Sequence, residues 1–238
     1  MSRNPKILGL IPARGGSKGI PGKNLRPLAG KSLLERTIAC AKAAGVLDRL
    51  AVSTDDPAIA LAAEKAGVPV PWLRPKELAE DGSPTIDAVL HALERLATDG
   101  YVPDAVLLLQ PTSPFRAPET VRAALELFAA SGGESVLSVA PAREHPLHHY
   151  RLTPDGVMAP FVADRADSPR GARRQDLEPA YRLDGSIYVA SVELLRKSRT
   201  FHSPHPRAVV SPPETALDLD TPLDWDIAEC LIARREAR

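Results

Sequence analysis

A short apolar run that leads straight into a glycine-rich, cationic loop constrains this chain more than any other feature. Residues 7–11 are apolar or glycine and Pro12 ends the run, which is typical of a strand buried on both faces in a parallel sheet. The segment 12–24 then contains four glycines, three cations and a serine. Glycine lets backbone N–H groups turn toward an anion, and cations neutralise it. We therefore expect a phosphate-binding loop at the carboxyl edge of a sheet.

The spacing within segment 12–24 matches neither the P-loop nor the GxGxxG fingerprint, the two commonest phosphate-binding motifs. A surface turn whose charges are solvated is the alternative interpretation. That alternative leaves three cations and four glycines at the end of a buried strand without a purpose, so a cradle for a triphosphate is favoured.

The rest of the chain alternates short apolar strands with amphipathic helices. Strands are predicted at 50–54, 68–70, 105–109, 135–139, 185–190 and 208–210, and helices at 32–45, 58–66, 85–96, 118–130, 192–196 and 224–235. This alternation predicts an α/β sheet with right-handed crossovers. The rhythm stops between residues 141 and 182, a stretch rich in Pro, Arg, Asp and His. We interpret that stretch as an insertion within a single domain covering residues 1–238.

Composition removes several classes of function. Thirty Lys and Arg balance thirty Asp and Glu, so no overall field favours nucleic acid or an anionic membrane. Aromatic residues make up 4% of the chain, too few for a platform that stacks bases. No apolar stretch reaches the roughly 18 residues of a membrane helix, and the first apolar run is too short for a signal peptide. We expect a cytoplasmic protein with no nucleic-acid or membrane partner.

Asp218 and Asp220 flank Leu219 near the C-terminus. In an extended segment, residues two apart point to the same face, about 6–7 Å apart along the strand, so both carboxylates can approach one divalent cation. Mg²⁺ is the expected metal because it prefers carboxylate and phosphate oxygens, with Mn²⁺ as the alternative. Alternating acids on a solvated strand are the other interpretation. Asp224 is expected at the N-terminus of the closing helix, where negative charge is favoured.

Polar side chains follow the predicted strand 105–109. Gln110 comes directly after it, with Thr112, Ser113 and Arg116 close behind. Ligands of open α/β sheets bind beyond the carboxyl ends of the strands, so these side chains are expected to face the same crevice as the glycine loop. In the alternative interpretation, the two hydroxyls only cap the next helix.

Six stretches together resemble the acylneuraminate cytidylyltransferases, a family that makes CMP-activated sialic acids and related nonulosonic acids. They are segment 12–24, VSTD at 52–55, RPKELA at 74–79, LQPTSPFR at 109–116, DGSIY at 184–188 and DLDT at 218–221. The resemblance runs from about residue 7 to the closing helix. It implies a Rossmann-like α/β nucleotidyltransferase fold with a mixed, mostly parallel sheet, in which 141–182 is an inserted dimerisation segment.

The resemblance also implies roles for individual residues. The nucleotide-binding positions are Arg14, Gly16, Ser17, Lys18, Lys23, Asn24, Arg74 and Thr85. The sugar-binding positions are Gln110, Thr112, Ser113, Arg174 and Tyr188. Asp218 and Asp220 hold the metal and, with Arg14, Lys18 and Lys23, form the catalytic set. Asn24 is placed at the ribose, Arg74 and Thr85 around the cytosine, and Arg174 at the sugar carboxylate, often across a dimer interface.

The expected activity is transfer of CMP from CTP to the anomeric hydroxyl of a nonulosonic acid, with release of pyrophosphate, by a homodimer. The nearest alternatives are a cytidylyltransferase for 3-deoxy-manno-octulosonate and a nucleotidyltransferase acting on a sugar 1-phosphate. A sugar phosphate would need more cations in the acceptor half, whereas Gln110 and Arg174 suit a polyol with one carboxylate. A non-catalytic nucleotide-binding regulatory protein is the alternative from another class. The paired aspartates argue against it, because binding alone does not require a metal pair.

Overall fold

A mixed sheet of six strands lies at the centre of the computed structural model, which describes residues 5–162 and 173–236. In chain order the strands are β1 (Ile7–Pro12), β2 (Pro27–Leu28), β3 (Lys31–Ser32), β4 (Arg49–Ser53), β5 (Ala105–Leu108), β6 (Ser135–Pro141), β7 (Tyr150–Leu152), β8 (Met158–Pro160), β9 (Tyr181–Ser191) and β10 (Arg207–Val210). The order across the sheet is β10-β6-β9-β5-β1-β4. Only β9 runs antiparallel to its two neighbours. The predicted mixed, mostly parallel α/β sheet is confirmed.

Helices cover both faces of this sheet. They are α1 (Leu33–Ala44), α2 (Pro57–Lys65), α3 (Thr85–Thr98), α4 (Pro118–Ala130), α5 (Val192–Ser198) and α6 (Pro222–Glu236). α1, α2 and α4 pack on one face, and α3 and α5 on the other. Alternate strand residues supply the two cores, so Leu107 joins the first while Val106 and Leu108 join the second. Within the described ranges, no helix is long and apolar enough to span a bilayer.

A third, smaller core ties the C-terminal helix to the glycine loop. Trp225 and Ile232 of α6 pack in it with Ile20 of the loop and with Leu219. Because Leu219 is completely buried, the acidic residues on either side of it are fixed beside a loop about 200 positions earlier in the sequence. Asp224 lies in the first turn of α6, as predicted, and accepts hydrogen bonds from the backbone N–H groups of residues 220 and 221.

One predicted strand is wrong. Residues 68–70 pair with no strand, and Val68 and Val70 instead pack as loop residues into the first core. The segment 218–220 is also irregular, but the backbone N–H of Leu219 donates to the Thr112 carbonyl at 2.8 Å. That bond fixes the acidic pair at the edge of the sheet without a strand.

The chain leaves the sheet between β6 and β9, in the segment predicted as an insertion. β7 and β8 pair there as an antiparallel hairpin, whose strand residues are all exposed. Leu152, Val157, Met158 and Phe161 each expose more than half of their surface. Residues 163–172, in the middle of the predicted dimerisation segment, lie outside the described residues.

Candidate active site

A cavity of about 430 Å³ opens beyond the carboxyl ends of β1 and β5, where the strand order predicts a ligand site. Twelve of the predicted site residues line it: Arg14, Gly16, Ser17, Lys18, Lys23, Asn24, Arg74, Thr85, Gln110, Thr112, Asp218 and Asp220. They come from four stretches of chain that are far apart in sequence. The predicted glycine loop, acidic segment and post-β5 turn therefore share one cavity.

Hydrogen bonds between backbone groups of the glycine loop and two polar side chains fix the shape of the loop. The Gly15 N–H donates to Asp55 Oδ1 at 3.1 Å, and the Asn24 side-chain amide donates to the Arg14 carbonyl at 2.9 Å. Gly19 passes so close to the acidic segment that a Cβ atom would lie 2.0 Å from the Asp220 carbonyl oxygen. Only glycine fits there, so this position docks the loop against the carboxylate pair. The Asn24 amide nitrogen, expected at the ribose, is thus engaged in holding the loop.

The three loop cations divide between two carboxylates. Arg14 Nη1 and Lys18 Nζ lie 2.9 and 2.8 Å from the two oxygens of Asp81. Lys23 Nζ lies 3.1 Å from Asp220 Oδ1 and donates to the Leu219 carbonyl at 2.8 Å. Asp81 therefore engages Arg14 and Lys18, whereas Asp220 engages Lys23.

Asp218 and Asp220 differ in environment. Asp220 is mostly exposed and is paired with Lys23. Asp218 is partly buried, and burial raises its pKa above the ordinary value, while a hydrogen bond from the Thr112 side chain acts against that rise. Its buried Oδ1 has no hydrogen-bond partner among the described residues. A buried carboxylate oxygen without a partner, next to a second carboxylate, suits a divalent cation.

Within the described ranges, no group of three or more His, Cys, Asp or Glu side chains could hold a metal ion. Two carboxylates are compatible with Mg²⁺, which is usually bound through one or two carboxylates plus substrate phosphates and retained waters. The pair therefore fits a metal that arrives with a phosphate ligand, and it does not fit an all-protein metal cage.

Arg74 is buried near the glycine loop. Its Nη2 lies 3.7 Å from Asp55 Oδ1, the oxygen that also accepts from Gly15, so Asp55 ties Arg74 to the loop. Burial lowers the pKa of Arg74, and Asp55 opposes that shift. The Nε atom of Arg74 has no hydrogen-bond partner among the described residues. Ser83 and Thr85, the latter at the start of α3, both line the cavity, and the Ser83 hydroxyl donates a hydrogen bond to the Glu77 carbonyl at 2.6 Å.

Beyond β5, the expected row of polar side chains is only partly exposed to the cavity. Gln110 and Thr112 line it, but Ser113 is buried beneath the turn and does not. Arg116, also expected in the crevice, is buried and donates from Nε to the Ser186 carbonyl and from Nη2 to the Gln110 carbonyl. Burial lowers the pKa of Arg116 to about 10, against the opposing charges around it. This arginine braces the turn and does not face a ligand.

Among the described side chains, Tyr188 is a second predicted sugar-binding residue, after Ser113, that does not line the cavity. Tyr188 is paired with Leu108 across β9 and β5, which puts its ring on the face of the second core. There it packs edge-to-face against Phe201, with ring centroids 6.1 Å apart. Arg174 begins a 3-10 turn at Arg174–Asp176, and its side chain lies outside the description.

Sequence reasoning missed Asp81 and gave no individual role to Asp55. Asp55 lies within a stretch that carries the family resemblance and directly follows the strand predicted at 50–54, which was the available signal. Asp81 had no such signal, because one acid in the loop after residue 79 resembles any solvated residue. Its significance comes from the two cations that it contacts.

Comparison with known proteins agrees with this geometry. A family model described as "Cytidylyltransferase" matches residues 8–152. The chain is 39% identical over 234 residues to the CMP-N,N'-diacetyllegionaminic acid synthase of Legionella pneumophila, covering 95% of this chain and 96% of that protein. It is 31% identical to the pseudaminic acid cytidylyltransferase of Campylobacter jejuni, covering 95% and 96%. An N-acylneuraminate cytidylyltransferase of Streptococcus agalactiae is also 31% identical, and the chain spans about half its length, 52%.

Among solved structures, a CMP:2-keto-3-deoxy-manno-octonic acid synthetase complexed with CTP superposes with a TM-score of 0.69 at 18% identity, covering 97% of this chain and 99% of the other. A 4-diphosphocytidyl-2C-methyl-D-erythritol synthase superposes at 0.68 with 16% identity, covering 97% and 100%. At these identities the likeness concerns the fold alone.

Proposed function

This chain belongs to the cytidylyltransferase family, and we propose that it transfers CMP from CTP to the anomeric hydroxyl of a nonulosonic acid and releases pyrophosphate. The observation that carries the proposal is the single cavity in which the glycine loop, the acidic pair and Gln110 meet. Its volume of about 430 Å³ falls within the usual range for small-molecule sites. The three relatives compared above are all named for transferring or attaching CMP to acids of this class.

The nucleotide lies along the glycine loop. The phosphorus under attack must be near the acidic pair, which places the α-phosphate beside Lys23 and directs the leaving pyrophosphate toward Arg14 and Lys18. Ser17 and the backbone at Gly16 complete this anion site, since both residues line the cavity. Further along the cavity, Arg74 and Thr85 face the cytosine.

Asp218 and Asp220 would hold Mg²⁺, or Mn²⁺ in its place. When bound, the metal supplies positive charge that offsets the charge of the phosphates. The chain's own contribution is to position the two substrates and to neutralise charge as the bond to the leaving group breaks, because phosphoryl transfer asks little covalent chemistry of the protein. The side chains of Asp220 and Lys23 form an ion pair, and this contact holds both side chains in position.

The sugar acid lies over the turn after β5, where Gln110 and Thr112 line the cavity. An arginine makes a bidentate pair with a carboxylate, and Arg174 is proposed for that contact. We propose a diacetylated legionaminic acid as the first acceptor to test, since the Legionella relative shares 39% identity over nearly its whole length. The octulosonate alternative is supported by the fold of one neighbour at 18% identity and is therefore weaker.

The test is production of CMP-sugar and pyrophosphate from CTP with a panel of neuraminic, legionaminic, pseudaminic and octulosonic acids. We expect turnover with at least one of the first three, and CTP to be used far better than ATP or GTP. Equal turnover with a purine nucleotide contradicts the cytidylyl assignment. Turnover with octulosonate alone contradicts the acceptor.

A homodimer is proposed because the hairpin β7–β8 and its flank expose Leu152, Val157, Met158 and Phe161 to solvent, which a second copy could cover. If Arg174 acts across the dimer, a mixture of Arg174→Ala and Asp220→Ala subunits regains activity, because one composite site carries neither lesion. Heterodimers that remain as inactive as either parent place Arg174 in its own subunit's site or outside it.

A further inference from the structure

An acidic side chain lies against the two cations that the proposed function assigns to the pyrophosphate half of CTP. We propose that Asp81 is a built-in competitor for this subsite, displaced when the β- and γ-phosphates bind and returning as pyrophosphate leaves. The inference rests on the proposed function for the direction of the reaction. The competition itself rests on the ion pairs.

Both oxygens of Asp81 are used. Oδ1 lies 2.9 Å from Arg14 Nη1, and Oδ2 lies 2.8 Å from Lys18 Nζ. These contacts hold the pKa of Asp81 below its ordinary value, chiefly through the hydrogen bond from Lys18. The carboxylate is therefore ionised at neutral pH and presents two oxygens to two cations, as one phosphate group does.

The same side chain is placed so that it can leave. Its ion pairs are solvent-accessible, with Asp81 44% and Lys18 80% exposed, and exposed pairs are individually weak. Asp81 lies in a turn next to Gly82. The space around Gly82 is open, since no atom outside residues 81–83 lies within 4 Å of the position that a Cβ would take. Pyrophosphate carries more negative charge than one carboxylate, so it can displace Asp81 from the two cations. An anion with a single charge competes poorly with Asp81 for them.

The third loop cation, Lys23, does not share this competitor. Lys23 is paired with Asp220, not with Asp81, and the proposed function assigns the α-phosphate to Lys23. The inference therefore separates two products. Pyrophosphate must displace Asp81, whereas CMP, which has only the α-phosphate, need not. Asp81 thereby weakens retention of the leaving group selectively and favours its release.

The experiment measures binding of inorganic pyrophosphate and of CMP to the full chain by calorimetry, for wild type, Asp81→Asn and Glu80→Gln. Glu80 is the matched control, because it lines the same cavity from the adjacent position and has no ion pair among the described residues. We expect Asp81→Asn to bind pyrophosphate about two- to tenfold more tightly, with CMP affinity changed by less than twofold. Pyrophosphate should also inhibit Asp81→Asn at correspondingly lower concentrations.

Several outcomes overturn the inference. Unchanged or weaker pyrophosphate binding in Asp81→Asn, an equal gain in Glu80→Gln, or no measurable pyrophosphate binding to any of the three proteins would each do so. An equal gain for CMP would remove the selectivity. Because binding is measured without turnover, failure of this inference is distinguishable from failure of the proposed function, which fails if wild type does not consume CTP with any acid of the panel.

Discussion

The two halves of the cavity are built differently. The nucleotide half comes mainly from one continuous loop, fixed by backbone bonds at Gly15 and by the Asn24 amide. The proposed acceptor half is formed by the turn after β5, and Arg116 ties this turn to β9 beneath it through the Gln110 and Ser186 carbonyls. The first half follows from a local pattern of glycines and cations. The second depends on which side chains the tertiary packing leaves uncovered, and on a segment outside the main sheet.

In the proposed function the acidic pair serves both halves, so its loss should have the largest effect. Asp218→Asn or Asp220→Asn is expected to lower turnover by about 10²- to 10³-fold, with partial recovery at higher Mg²⁺. Asp218→Asn should not lower thermal stability, because burial already disfavours the charged carboxylate. Initial rates as a function of magnesium concentration provide the measurement. Asp226→Asn, on the exposed side of α6, is the control.

Magnesium curves that coincide with wild type in both mutants would contradict the metal assignment, especially if thermal stability fell instead. The acidic pair would then be structural. The two halves of the cavity would then share no metal site.

Lys18→Ala tests the nucleotide half alone. Removing a cation beside developing phosphate charge should lower turnover on the order of 10²-fold. The side chain is 80% exposed, so the unfolding free energy should not change. Lys65→Ala, at an exposed position of α2, is the matched control. The measurement is the steady-state rate at saturating sugar acid. Near-normal turnover would favour the alternative interpretation, in which the glycine loop is a surface turn whose charges are solvated.

Arg116→Gln tests the brace beneath the acceptor half. Losing a buried cation that donates to two carbonyls, at Ser186 and Gln110, should lower the unfolding free energy by about 2–3 kcal/mol. Arg14→Gln should cost far less, because its ion-pair partner Asp81 is exposed. Urea unfolding of the two variants is compared. Equal stability losses would mean that the arginines after β1 and β5 do not differ in the way the structure shows.

The contrast explains how far sequence reasoning reached. The strand–loop unit at 7–24 was predicted because its signals are local: an apolar run, then glycines at the positions where the backbone turns. Arg116 was misplaced because a cation just after a strand resembles a ligand-facing residue, and its burial follows from packing against β9. The strand predicted at 68–70 is wrong for a similar reason, since apolar residues two positions apart can also be buried by a loop that packs into a core.

Asp81 shows the remaining limit. Its two partners are 63 or more positions away, and nothing in the local sequence distinguishes it from Glu80 beside it. Tyr188 shows the same limit in a strand, because the face that it occupies is set by its pairing with Leu108. Side chains whose role depends on distant neighbours need the fold before they can be assigned.

The smallest expected effect concerns how the nucleotide loop is joined to the first helix. Ser32 and Glu35 form a capping box at the start of α1, and the adjoining N–H of Leu34 donates to the Asn24 carbonyl at the end of the loop. Glu35→Gln is expected to lower the unfolding free energy by about 0.5–1 kcal/mol at pH 7. CTP affinity should be unchanged, since Asp55 and Asn24 hold the loop independently.

The pH dependence of that difference provides the check. Hydrogen bonds from Ser32, the backbone one first, lower the pKa of Glu35 in the folded chain. A lowered carboxyl pKa contributes stability that is fully present above the unfolded-state pKa and is lost as pH falls through the folded-state pKa. The gap between wild type and Glu35→Gln should therefore close below about pH 4, as measured by urea unfolding across pH. A gap that stays constant with pH would mean that the side chain acts through packing, and a loss of CTP affinity in Glu35→Gln would mean that the nucleotide loop depends on α1 for its shape.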